Sequence, residues 1–69
     1  MLEEFYTMAE VVNYIADEIE ANGKAQDART ECDVLAIANS VTRFSNAGQV
    51  FYIAVSEHLF WTMVQMHAR

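Results

Sequence analysis

The sequence predicts an all-α protein, built as a helical hairpin or a three-helix chain that assembles into an intertwined dimer or a higher oligomer. Three observations lead there. Apolar residues recur at three- and four-residue steps along most of the chain, the spacing that lines one side of a helix. Proline is absent and glycine occurs only twice, at Gly23 and Gly48, which leaves little punctuation for a β protein. The segment from Val50 to Met66 is apolar nearly all round, interrupted only by Ser56, Glu57, His58, Thr62 and Gln65. A helix without a polar face has to be enclosed, and a chain of 69 residues has little else to enclose it with.

The first helix is expected at about 2–22. Phe5, Met8, Val12, Ile15 and Ile19 form its seam, widened by Leu2, Ala9 and Ala16. Glu3, Glu10 and Asp17 recur every seven residues on the opposite side, with Glu4 and Glu18 beside them. Asn22-Gly23 closes the helix, because glycine accepts the left-handed conformation common at helix ends, and Lys24 can meet the last carbonyls. Asp27 or Thr30 caps a second helix, at about 26–46, with Glu31 and Asp33 near its start. Val34, Ile37, Val41 and Phe44 make its seam, flanked by Leu35 and Ala38. Ser45-Asn46-Ala47-Gly48 then admits two readings. Either a third helix follows at about 49–67, or the seam runs on through Phe51 and Val55 as one helix of about 40 residues, about 60 Å long.

Oligomer formation would cover the apolar end through Phe51, Val55, Leu59, Phe60, Trp61 and Met63, and a two-fold dimer is the commonest solution. A membrane span is not expected, since the run falls short of roughly 20 residues and Glu57-His58 lies at its centre. Cys32 is the sole cysteine, so no disulfide forms within the chain. With the acidic start, this points to a reducing, cytoplasmic setting.

Charge is uneven. Residues 1–33 carry nine acidic and two basic side chains, a net −7, whereas residues 34–69 carry Glu57 against Arg43 and Arg69, a net +1. Four scattered cations do not neutralise a phosphate backbone, so direct nucleic-acid binding is excluded. His58 and His67 are nine residues apart and lack the three- or four-residue ligand spacing of helical metal sites. Met63 and Met66 serve better as gap-filling side chains than, with His67, as a soft-metal site, and His67 reads as part of a fraying terminus. Cys32 has no histidine close in sequence to act as its base and reads as a small, half-buried helical residue. Phosphate loops, dinucleotide fingerprints and nucleophile elbows are absent, so neither an enzyme nor a cofactor is expected. Glu57 requires either a counterion, Arg43 or Arg69, or a strip of α-helix that meets water.

The expected function is therefore stoichiometric: a small acidic module, an inhibitor or regulator, that binds a basic surface on another protein. Its contact residues would be Glu3, Glu10, Asp17 and Glu18 with Tyr6 and Tyr14, since tyrosines beside charges anchor many interfaces. Antitoxin-like and phage-type inhibitors offer an analogy of size and charge alone. The alternative is an oligomer that sequesters a small ligand in pockets at its subunit junctions, lined by Arg29, Arg43, Tyr52 and Trp61.

Overall fold

The computed structural model describes residues 4–69. It corrects the all-α, helical-bundle expectation: four helices pack with a three-stranded antiparallel sheet. In chain order the elements are β1 (Glu4–Phe5), α1 (Met8–Ala21), α2 (Ala28–Glu31), α3 (Val34–Val41), β2 (Thr42–Ser45), β3 (Val50–Ile53) and α4 (Glu57–Met66). The sheet order is β1-β3-β2, so β3 is hydrogen-bonded on both sides.

Local chemistry explains where the expected helices at 2–22, 26–46 and 49–67 depart from these elements. The first begins at Met8 because the Thr7 hydroxyl accepts the Glu10 N–H at 3.2 Å, and Thr7 itself is extended. Phe5, assigned to the helical seam, instead pairs with Phe51 in the sheet. The close at Gly23 is as expected. Its φ is 71°, the Lys24 N–H reaches the Ile19 carbonyl and the Gly23 N–H reaches the Glu20 carbonyl, both at 3.1 Å.

The second expected helix is interrupted twice. Cys32 is extended, with φ −134° and ψ 153°, and Asp33 starts a new helix by accepting the Ala36 N–H. The helical phase of Val34, Ile37 and Val41 holds through α3, but Phe44 lies on a strand. Thr42, Phe44 and the run Val50-Phe51-Tyr52-Ile53 are β-branched or aromatic, types that fit a pleated surface better than a helix. The continuous 40-residue helix is thereby replaced by a hairpin whose four-residue turn is 46–49. The positive φ in that turn, 53°, falls on Gln49 and not on Gly48.

One face of the sheet carries Phe5, Phe51 and Phe44 in a row across the three strands, with Thr42 opposite Ile53 behind them. The Phe44 and Phe51 rings meet edge-on at 5.0 Å. Toward the helices the row joins a core of Val11, Ile15 and Ile19 from α1, Ile37 and Val41 from α3, and Phe60 and Val64 from α4. The C-terminal segment folds back as a bridge. Asp33 N–H donates to the His67 carbonyl at 2.9 Å, and Arg69 N–H donates to the Glu31 carbonyl at 2.8 Å.

Two features of the hairpin carry a cost. The Thr42 hydroxyl is buried without a hydrogen-bond partner among the described residues. Replacing it with a methyl group, Thr42→Val, removes that penalty and should raise stability by about 1 kcal/mol, read as a rise in Tm of about 4–8 °C. A left-handed Gln49 is strained relative to glycine, so Gln49→Gly should also stabilise, by about 0.5–1 kcal/mol. Chemical denaturation of both variants checks these values, and a fall in stability for either contradicts its assignment.

Candidate protein-binding surface

Two groups of carboxylates emerge from the acidic half. One group is engaged by the chain itself. Glu31 Oε2 accepts the N–H groups of Gln26 and Asp27, both at 2.9 Å, and so closes the loop that precedes α2. Glu20 Oε2 accepts the Ala28 N–H at 2.9 Å, at the first residue of α2. Asp27 accepts the Thr30 hydroxyl, and Asp33 caps α3. Except for Asp27, which meets a side-chain hydroxyl, these carboxylates satisfy backbone donors at or just before a helix start, where intrahelical partners are lacking.

Glu10 and Asp17 form the second group. They are exposed and lie seven residues apart on the solvent side of α1, about 10 Å along the axis. Neither carboxylate accepts a hydrogen bond among the described residues. Asn13 lies between them, one turn from each, and accepts a hydrogen bond from Arg29 Nη2. Arg29 therefore brings a cation to the edge of the acidic row and ties α2 to α1. Asn13 and Glu20, also seven apart, make up the flank of α1 that holds α2.

The other expected contact residues are placed differently from one another. Tyr6, just before the Thr7 cap, is 77% exposed. Tyr14 is partly buried with its ring 5.2 Å from that of Phe5. Glu18 is half-buried at the margin of the exposed face. Glu3 lies outside the described residues. Glu4, exposed on β1, is opposite Tyr52, which is in turn opposite Arg43, so an acid, an aromatic and a base cross the outer sheet face.

Residues expected at an oligomer interface are divided by the hairpin. Phe60 is fully buried in the core of its own chain. Phe51, Val55, Trp61 and Met63 are partly buried against that core, whereas Leu59 is 41% exposed. Met66, seven residues after Leu59 on α4, is also exposed. Glu57 is in the first turn of α4 after the Ser56 cap, where a negative charge suits the helix dipole, and it is exposed. The four residues considered for a ligand pocket occupy three places: Arg29 beside Asn13, Arg43 and Tyr52 on the hairpin, and Trp61 on α4.

Among the described residues no group of three or more His, Cys, Asp or Glu side chains is arranged to hold a metal ion, and no helix is long and apolar enough to cross a membrane. Comparison with protein-family models, with curated proteins and with solved structures found no match.

The two classes of carboxylate should separate on mutation. Glu31→Ala removes the acceptor for two N–H groups and should cost about 1 kcal/mol. Asp17→Asn, on the exposed face, should change stability by less than about 0.5 kcal/mol. Urea denaturation measures both, and equal effects would contradict the division.

Proposed function

We propose that this protein is a small acidic interaction module that binds a basic surface on another protein and acts stoichiometrically, as an inhibitor or regulator. The observation that carries the proposal is the pairing of Glu10 and Asp17, two carboxylates without internal work, with Tyr6, an aromatic side chain 77% exposed just before the cap of α1 and four residues from Glu10. Tyrosine supplies large contact area at a small entropy cost, and exposed carboxylates steer a cationic partner into register. A rigid helix between them holds the charges at fixed spacing, so the partner does not have to order them on binding.

Substitution on this face leaves the fold intact for a definite reason. Glu10 contributes its backbone N–H, not its carboxylate, to the Thr7 cap. The double variant Glu10→Lys, Asp17→Lys should therefore keep its circular dichroism spectrum. Tagged wild-type protein recovered from its native host should carry a protein partner in fixed ratio, lost on raising the salt concentration. The double variant should retain less than about a tenth of it, a loss of about 1.4 kcal/mol or more. Lysines at four exposed neutral positions away from α1, Asn39→Lys, Asn46→Lys, Ala47→Lys and Ala54→Lys, match the change in net charge and should leave recovery unchanged. Equal recovery with the α1 double variant would reject the proposal.

A further inference from the structure

A cavity of about 250 Å³ opens between α4 and the bridge that joins Cys32 to Ala68. It arises from two departures from helix in one place: the extended step at Cys32 and the C-terminal segment that pairs with it. Trp61 and Val64, from successive turns of α4, form an apolar wall. Cys32, 5% exposed, contributes a thiol that is neither in a disulfide nor hydrogen-bonded among the described residues. Gln65 and Lys24 supply the polar groups.

Lys24 is the informative member. Its ammonium stands 6.0 Å from the centroid of the Trp61 ring. Among the described residues the ammonium has neither a hydrogen bond nor an ion pair. In a chain of net charge −6, a cation left without a carboxylate beside an aromatic-walled cavity is available for an anion from outside. Gln65 can add an amide donor to the same group. The lining contains no second cation, which disfavours a phosphate dianion, whose oxygens call for several charged donors. Its volume is below the roughly 300–1,000 Å³ typical of pockets for drug-sized ligands, so the occupant is smaller than these.

We infer that this cavity is a binding site for a small amphiphilic monocarboxylate, with its hydrocarbon part against Trp61, Val64 and Cys32 and its carboxylate at Lys24. The site uses none of the residues of the α1 surface, so the two proposals stand or fall separately.

The chain contains its own reporters, since Trp61 is its sole tryptophan and Cys32 its sole cysteine. Full-length protein is titrated with phenylacetate and hexanoate, and in parallel with phenylacetamide and hexanol. The carboxylates should change Trp61 emission saturably and slow modification of Cys32 by methyl methanethiosulfonate. The neutral analogues should bind about fivefold more weakly, the effect of losing one partly exposed ion pair. Lys24→Met, at an exposed position outside the core, should abolish that preference while retaining the wild-type circular dichroism. Val64→Phe should fill the cavity and remove both signals, and Ala68→Phe at the exposed rim does the same should Val64→Phe fail to fold. Unsaturable emission changes, unprotected Cys32, or a carboxylate preference that survives in Lys24→Met would each overturn the assignment.

Discussion

Ile15, Ile19, Ile37 and Phe60 meet without any exposure to water where α1, α3 and α4 converge, and the rest of the structure depends on that meeting. A chain this short has no second core to fall back on, since small domains bury a smaller fraction of their surface than large ones. Each side chain of this size contributes about 1.5–3 kcal/mol when fully buried. Three helices far apart in sequence supply those residues, so the intervening segments must turn sharply and end where the core needs them. The extended step at Cys32 and the hairpin at 42–53 are the turns that make this possible.

The sheet is the second consequence of that constraint. β3 is paired on both sides, with residues from the beginning of the chain on one edge and the strand leaving α3 on the other. Its phenylalanine row continues the helical core and covers part of what a bare helix pair would leave open. Phe44, at the end of the row, remains 49% exposed because β2 is an edge strand of the sheet. The C-terminal bridge to residues 31–33 acts similarly at the opposite end of α3, where it closes the ring of contacts and leaves the cavity beside Trp61.

Charge is arranged around this frame by two different needs. Where a helix starts or a loop tightens, a carboxylate meets backbone donors: Glu20, Glu31 and Asp33 are of this kind. Where the backbone needs nothing, as at Glu10 and Asp17, the carboxylates face water. The seven-residue spacing of the acids was visible in the sequence, but spacing alone did not distinguish the two uses. Asn13 looks like one polar residue among several on α1 until Arg29, sixteen residues later, is found bound to it. The Lys24–Trp61 pair is more distant still, across thirty-seven positions of sequence.

What the residues determined by themselves were the local events governed by short-range chemistry. The apolar phase of Val34, Ile37 and Val41, the left-handed stop at Gly23 and the helix start at Asp27 follow from neighbours within one or two turns. Thr7 and Glu10, three apart as in a capping box, held an equally local signal for the start of α1, masked by an apolar seam that continued in phase to Phe5. Tertiary structure decided the remainder. A four-residue run such as Val50-Phe51-Tyr52-Ile53 satisfies a helix seam and a strand alike, and only pairing on both sides chooses between them. That pairing supplies hydrogen bonds to a backbone whose β-branched and aromatic side chains gain little from a helix, and one of its partners, β1, lies too far along the chain for local periodicity to reveal.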